Sequence, residues 1–184
     1  MGPAYRLFYE EPVHLVRGEG AWLYGADGNK YLDCYNNVAS VGHCHPRVVE
    51  AISKQAAQLN THTRYLHENI VQYAERLTAT LPAELSVCKY TSTGTEAHDL
   101  APRIARTVTG NRGVIVLEDA YHGNSNSVFD HSTEDYPVAE QPVYLDTVEA
   151  PDGLRGRHRG GGPETGRAYG AMVGEAAERL AGRG

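Results

Sequence analysis

The chain has 184 residues and a formal net charge of −6, with 41% hydrophobic and 22% charged residues. This length allows one domain, or one domain with a small addition, and a real hydrophobic core. The acidic balance argues against a general nucleic-acid-binding protein, which is normally basic. No apolar stretch approaches the roughly 18 residues of a membrane span. We therefore expect neither nucleic acid nor a membrane among the partners.

The cysteines and the N-terminal residues bear on the compartment. Cys34, Cys44 and Cys88 form no CxxC pair, and an odd number without such a pair predicts free thiols in a reducing environment. The first twelve residues contain no apolar run of the secretory type. Together these features predict a cytoplasmic protein.

The first predicted element is a β-hairpin. Residues 21–24 and 30–32 are rich in aromatic residues and flank a segment that contains Asp27 and Gly28. Asp-Gly between two such strands is a strong hairpin signal, because glycine tolerates a positive φ. Two helices are predicted to follow. Pro46 suits the first position of one helix, and an apolar stripe predicts the other over 68–80.

The centre of the chain is predicted to alternate strand, helix and strand. Residues 87–91 have the pattern of a short strand, and apolar residues recur at helical spacing over 95–109, with Gly110 as the stop. Residues 114–117 form an uninterrupted apolar run, typical of a strand buried on both faces of a parallel sheet. This order predicts an α/β domain with a right-handed crossover.

After residue 150 the chain changes character. Residues 150–163 are rich in glycine and arginine and have no periodicity, so we expect a loop. Residues 164–180 are rich in alanine and predict a helix, with no later strand for it to pack against.

A candidate anion site lies where the predicted helix over 95–109 begins. Thr93 and Glu96 form a capping-box pattern, and Gly94 lets another group approach the backbone closely. The free N–H groups of a first helical turn, with the helix dipole and the Thr95 hydroxyl, suit a phosphate monoester. The alternative is a well-capped helix without a ligand.

A second candidate stretch, residues 119–124, directly follows the apolar strand. Ligands in open α/β sheets collect at the carboxyl edge of the strands. An exposed Tyr121 at that edge could stack on a flat heteroaromatic ring. The alternative is an ordinary loop tyrosine.

Three motifs of this sequence resemble the signatures of one known family. Ser-Thr-Gly-Thr-Glu-Ala at 92–97, Tyr-His-Gly at 121–123 and Gly-His-Cys-His-Pro at 42–46 are similar to signatures of the class-III aminotransferases, which bind pyridoxal 5'-phosphate (PLP) and have fold type I. The resemblance covers residues 12–180 and is closest to the branch that includes ethanolamine-phosphate phospho-lyases.

The resemblance implies the fold and the domains. It implies an α/β, partial PLP-transferase fold, in which a three-layer α/β/α large domain has an incomplete sheet. Residues 1–45 would be an N-terminal segment of the small domain that contains the hairpin. Residues 46–184 would be the N-terminal part of the large, PLP-binding domain.

It also implies the roles of five residues. Gly94 and Thr95 match the pair that holds the cofactor phosphate, and Tyr121 matches the aromatic residue stacked on the pyridine ring. His122 and Gly123 belong to the same motif.

Other segments would lie near the partner of a homodimer. Residues 36–37 and 64–65 match segments at the mouth of the family's active site, partly facing the other subunit. The full-length protein is expected to be a homodimer acting on a small amine or amino acid.

The lysine and aspartate of the family's chemistry match nothing in this chain. PLP enzymes need a lysine that forms a Schiff base with the cofactor and an Asp that keeps the pyridine nitrogen protonated. In the family both lie on later strands. The lysines here, Lys30, Lys54 and Lys89, sit in no matching motif. We therefore expect no catalytic residue in this chain, non-covalent or weak PLP binding, and no activity of the chain alone.

Two residues depart from the family pattern. Pro102 stands where an apolar helix former is usual and, inside a helix, costs about 3 kcal/mol and can kink it. His98 replaces the usual Asn, which we expect to change little.

Two histidine-containing clusters have alternative interpretations. His43, Cys44 and His45 could suggest a metal site, but two further ligands would be needed and the family signature explains them, so we expect no metal. The basic residues of 155–159 could contact a phosphate, although a solvated loop suits the acidic chain better.

Several functions remain open from the sequence. The first is transfer of an amino group between an amine or amino acid and a 2-oxo acid, and an alternative is a phospho-lyase acting on a phosphorylated amino alcohol. A non-catalytic remnant or interaction module, pairing with a polypeptide that supplies the lysine, belongs to another class. A phosphate-binding module unrelated to PLP rests only on the capped helix.

Overall fold

The structure is a computed structural model that describes residues 2, 5, 7, 9–35, 39–134 and 141–183. The chain divides into two compact units, Met1–Ala79 and Thr80–Gly184. The assignment of 1–45 and 46–184 to the family's two domains is a different division and stays a prediction. Within the described ranges, no helix combines the length and the apolar character that crossing a membrane requires.

The first unit holds an antiparallel sheet and two helices. Strands β1 (Leu15–Glu19), β2 (Trp22–Gly25) and β3 (Lys30–Leu32) pair in the order β1-β2-β3. They are followed by α1 (Pro46–Gln58) and α2 (Glu68–Thr78). The hairpin and both helices are confirmed, with α2 ending two residues before its predicted end, whereas β1 was not predicted.

The hairpin turn forms for the reason that its sequence suggests. Gly28 has a φ of +83°, in the left-handed region that glycine enters without strain. The Asp27 carboxylate accepts a hydrogen bond from the Asn29 amide at 3.0 Å, which closes the turn. Across the strands, the Lys30 ammonium lies 3.9 Å from the Trp22 ring centroid, a cation–π contact.

The second unit contains three helices and a parallel strand pair. Its elements are α3 (Gly94–Thr109), β4 (Val114–Leu117), α4 (Asn126–Phe129), β5 (Leu145–Val148) and α5 (Pro163–Ala181). β4 and β5 pair in parallel from their first residues to their last. The parallel strand, the helix before it and the final helix are confirmed, and β5 and α4 were not predicted. The expected burial of β4 on both faces is met only in part, since Val116 is buried and Leu117 is 41% exposed.

Helix α3 begins one residue before its predicted start and ends as predicted. Gly110 at its C-terminus has a φ of +75°, and its amide bonds the Arg106 carbonyl. This is the left-handed glycine stop that satisfies an otherwise free carbonyl. The helix continues through Pro102.

The predicted strand over 87–91 is wrong, because these residues form no strand. Among the described residues of the second unit, only β4 and β5 form a ladder, so the segment has no strand beside it. Val87 is 82% exposed, so this apolar side chain is not buried as it would be in a core strand. A short apolar run becomes a strand only when another strand satisfies its backbone groups.

The core of the second unit lies between α5 and the strand pair. Helix α5 packs back on the earlier strands β5 and β4. Apolar and aromatic side chains from both layers form this core: Ile115, Val148, Tyr169, Met172 and Ala176.

An ion cluster around the buried Asp146 joins α5 to β5. Asp146 on β5 is 7% exposed and accepts hydrogen bonds from Arg179 Nε at 3.1 Å and Arg179 Nη2 at 2.9 Å. Arg183 Nη2 adds a third bond at 2.9 Å, and the Thr147 amide a fourth at 2.8 Å. The hydrogen bonds from Arg179, the largest cause, hold the pKa of Asp146 below its usual value. A carboxylate bonded on both oxygens in this way fixes the position of α5 on the sheet.

We predict that Arg179→Gln destabilises the second unit at pH 7 more than a matched exposed variant does, because it removes two hydrogen bonds to the buried Asp146 carboxylate. Arg155→Gln is the control, because Arg155 is solvent-exposed and pairs with Asp152 at 3.6 Å, and we expect a loss of about 0–1 kcal/mol. Chemical denaturation measures both. Equal losses for the two variants would contradict the prediction.

The Asp146–Arg179 pair also makes the stability of the second unit depend on pH. As pH falls below 3.8, the ordinary pKa of Asp146, the unfolded chain takes up this proton before the folded one, so stability is lost toward acid. Arg179→Gln raises the folded pKa and shrinks this acid-dependent loss, which denaturation midpoints measured from pH 6 down to pH 3 would show.

Candidate functional site

The start of α3 is capped as its sequence predicts. Thr93 Oγ1 accepts a hydrogen bond from the Glu96 amide at 3.1 Å, and the Thr93 carbonyl accepts from the Ala97 amide. Glu96 Oε2 accepts from the Ser92 amide at 2.7 Å, one residue earlier than in the standard capping box. Thr93 is therefore confirmed as the N-cap.

The cap leaves two amides of the first turn without a partner. The N–H groups of Gly94 and Thr95 make no hydrogen bond to any described residue. A side chain built at Gly94 would meet nothing within 4 Å, so the space beside this backbone is open. Free amides at the positive end of a 16-residue helix form a favourable place for an anion.

The segment after β4 is tied down by two hydroxyl groups. Thr133 Oγ1 donates to the Leu117 carbonyl at 2.8 Å and accepts from the Ala120 amide at 2.9 Å. Ser132 Oγ accepts from the His122 amide at 2.9 Å and donates to the Gly123 carbonyl at 3.1 Å. Residues 120–123 are thus held by side chains that come nine or more positions later in the chain.

The two candidate stretches meet at Gly123. A Cβ atom on Gly123 would lie 2.6 Å from Thr95 Oγ1 and 3.0 Å from Thr95 Cα. Gly123 also has a φ of +136°, which L side chains rarely adopt. Only glycine allows the loop to lie this close to the start of α3.

Tyr121 lies two residues before this contact. Its side chain is 64% exposed, so the ring is available to a ligand and contributes little to the core. Asp119, between the strand and this tyrosine, has a φ of +55°, a conformation that Asp tolerates in turns. The loop therefore turns sharply at Asp119 and presents the ring to solvent.

A histidine pair joins the same two elements and was not predicted. His98 Nδ1 lies 3.1 Å from the Gly94 carbonyl oxygen, and His98 Nε2 lies 3.2 Å from His122 Nδ1. Burial first, and the nearby His98 second, hold the pKa of His122 below its ordinary value of 6.5. Sequence spacing gives no sign of this pair, because the two rings stand 24 residues apart.

Asp99 makes a second unpredicted link between α3 and the loop. Its carboxylate accepts hydrogen bonds from Ser125 Oγ at 2.8 Å and from Ser127 Oγ. The Ser127 and Ser125 hydroxyls hold the pKa of Asp99 below its usual range. The loop that follows Gly123 is therefore fastened to the second turn of α3.

The other sequence candidates lie elsewhere. His43 Nε2 pairs with Asp33 Oδ2 at 2.7 Å in the first unit. Of the basic loop, Arg155 and Arg157 pair with acidic neighbours. In the described ranges, no group of three or more potential metal ligands occurs. The three lysines of the sequence analysis are all exposed.

The segments expected at the mouth of the active site are seen only in part. Asn36 and Asn37 lie outside the described residues. Arg64 and Tyr65 are exposed, and Tyr65 borders a cavity of about 190 Å³ in the first unit, together with residues of α1, α2 and their connection.

The known proteins that are similar to this chain include aminotransferases and a phospholyase, as its motifs lead us to expect. It is 44% identical, over 85% of its length, to an alanine–glyoxylate aminotransferase 2-like protein of Drosophila melanogaster, of which the match covers 33%. A phospholyase from Arthrobacter, in complex with phosphoethanolamine, matches all of the chain at 38% identity and a TM-score of 0.80, over 43% of its own length. The fold also matches taurine:2-oxoglutarate aminotransferase from Bifidobacterium kashiwanohense, solved with PLP and glutamate, at 19% identity and a TM-score of 0.71; the match covers 95% of this chain and 41% of that one.

The chain thus spans about a third of the length of the curated relative and has the α/β architecture of the PLP-transferase fold over that part. The family model of the class-III aminotransferases matches residues 8–145, which include the capped start of α3 and the loop with Tyr121. The chain belongs to the class-III aminotransferase family.

Proposed function

We propose that the start of α3 and the loop over 121–123 form part of a PLP site. The observation that supports this proposal is the contact of Gly123 with Thr95, since it holds the loop of the exposed Tyr121 against the open start of α3. In the proposed site the Gly94 and Thr95 amides and the Thr95 hydroxyl bind the phosphate, and Tyr121 stacks on the pyridine ring.

The chemistry of these groups suits the cofactor. A phosphate monoester needs several N–H or O–H donors and a nearby positive potential, which free amides and a helix dipole supply. The open space beside Gly94 leaves room for the phosphate oxygens, and no side chain of the described residues enters it. A flat pyridine ring gains from stacking on an exposed tyrosine.

In this proposal the chain holds and orients PLP but does not bond to it. When bound, PLP supplies an aldehyde that reacts with amines and a ring that withdraws electrons from the substrate. None of the three lysines stands in a motif of the family's bonding lysine, and no aspartate of the chain matches the partner of the pyridine nitrogen. The chain alone is therefore proposed to be inactive.

The reaction of the full-length protein is proposed to be amino transfer. Its substrates would be an amine or amino acid and a 2-oxo acid, and the name of the 44%-identical relative supports this class. A homodimer and a cytoplasmic location belong to the same proposal, the latter because all three cysteines are free thiols. The alternative from another class is a non-catalytic remnant or interaction module, which pairs with a polypeptide that carries the lysine.

A phospho-lyase is the second candidate, and a specific similarity favours it. The Arthrobacter phospholyase, solved with phosphoethanolamine, matches the whole chain at a TM-score of 0.80. The two reactions differ in their products. With phosphoethanolamine, a phospho-lyase releases inorganic phosphate without a 2-oxo acid, whereas an aminotransferase consumes the 2-oxo acid and releases no phosphate.

We predict that this chain binds PLP without a covalent bond. Fluorescence of added PLP should report binding that inorganic phosphate competes away, and borohydride treatment should yield no pyridoxyl peptide. Tyr121→Ala should weaken binding about 2- to 10-fold, the worth of one stacking contact, with Tyr121→Phe unchanged. A pyridoxyl peptide that contains Lys30, Lys54 or Lys89 would contradict the non-covalent model.

Two glycine variants separate the ligand site from the fold. Gly94→Ala should leave the free energy of unfolding within about 0.5 kcal/mol, because its Cβ lies in open space, yet weaken PLP binding by crowding the phosphate. Gly123→Ala should destabilise the second unit by about 1–3 kcal/mol, because its Cβ meets Thr95 in a strained conformation. Gly170→Ala, in open space on α5, is the control and should not affect binding. Unchanged PLP affinity in Gly94→Ala would count against the phosphate site.

A further inference from the structure

Three groups at the start of α3 form a hydrogen-bonded chain. The Gly94 carbonyl oxygen lies 3.1 Å from His98 Nδ1, and His98 Nε2 lies 3.2 Å from His122 Nδ1. The two rings are tilted by 58°, with centroids 4.8 Å apart. The far nitrogen, His122 Nε2, is buried and has no hydrogen-bond partner among the described residues.

When both rings are neutral, these hydrogen bonds determine which nitrogen of each histidine carries the hydrogen. A carbonyl oxygen only accepts, so His98 Nδ1 must carry the hydrogen. A neutral imidazole has one N–H, so His98 Nε2 is then an acceptor. His122 Nδ1 must donate to it, which leaves His122 Nε2 without a hydrogen.

We propose that His98 is a positioning residue that holds His122 in the Nδ1–H tautomer, so that His122 Nε2 is a proton acceptor inside the loop of the candidate site. The proposal concerns the chain's own residues and holds whether or not PLP binds beside them. It gives His98 a specific task, in place of the sequence-based expectation that this histidine changes little.

The pair also responds to one proton in a defined way. If the charge lies on His122, both its nitrogens carry hydrogens and Nδ1 still donates to His98. If the charge lies on His98, its Nε2 donates to His122 Nδ1, and His122 must carry its hydrogen on Nε2. Either way, uptake of one proton changes His122 Nε2 from an acceptor to a donor.

The charged and titratable groups around the pair are His131, Arg106, Asp130 and Asp99. Burial first, and then Arg106, His122 and His98, lower the pKa of His131, which is 3% exposed, whereas Asp130 raises it. Asp99 on α3 is already bonded to two serine hydroxyls. Burial of His122, and second its proximity to His98, hold the pKa of His122 below its ordinary value of 6.5.

The test is nitrogen NMR of the ligand-free chain labelled in its histidines, with the His122 signals identified by their loss in His122→Gln. At pH 8 we expect the Nδ1–H tautomer to exceed the other by about 5-fold or more, as one net hydrogen bond implies. A His122 that is mainly Nε2–H in the wild-type chain overturns the proposal.

Two substitutions distinguish positioning from mere proximity. His98→Leu removes the acceptor, and the 5-fold preference should be lost. His98→Gln offers an amide oxygen to His122 Nδ1 but does not titrate, so the tautomer should be retained while the pKa of His122 rises. His122 spectra and titration that are unchanged in both variants overturn the proposal.

A matched control shows that the effect is local. His158 lies in the same unit, 5.2 Å from the Tyr169 ring by centroids, and contacts neither member of the pair through any described bond. His158→Gln should leave the tautomer and the titration of His122 as in the wild-type chain. A shift of His122 as large as that in His98→Gln would overturn the assignment to His98.

Discussion

A side chain at position 123 would lie 2.6 Å from the Thr95 hydroxyl oxygen, so the loop after β4 reaches α3 only because this residue is glycine. Several other bonds depend on that approach. They include the contact of His122 with His98 and the bonds of two serines to Asp99. A phosphate and a flat ring can be held together only if these two segments keep a fixed spacing, which a packed backbone provides more firmly than long side chains do.

Local features of the site could be read from the sequence, whereas its tertiary links could not. The Thr93 cap and the Gly110 stop depend on residues within one turn of the helix end, and both are confirmed. The predicted strand over 87–91 failed because a strand needs a neighbour, which its own residues do not specify. The His98–His122 pair joins positions that are 24 residues apart, so no local sequence pattern predicts it.

Burial is distributed unevenly over the helices. No residue of α1, α2 or α3 is buried, although each helix has an apolar stripe. In contrast, α5 buries Tyr169, Met172 and Ala176 on the strand pair and is fastened there by Arg179. The stability of the second unit therefore rests on α5, while the candidate site lies at the end of a helix held mainly by caps and side-chain hydrogen bonds.

The groups at the start of α3 also determine the electrostatics of the candidate site. The free amides of Gly94 and Thr95 supply a positive potential at the start of α3, while burial and the nearby His98 hold the pKa of His122 below its ordinary value. His98 shares in this arrangement, since its Nδ1–H bonds the Gly94 carbonyl and so supports the peptide group next to the Thr95 amide. Amides do not titrate, so their own contribution to anion binding does not change with pH.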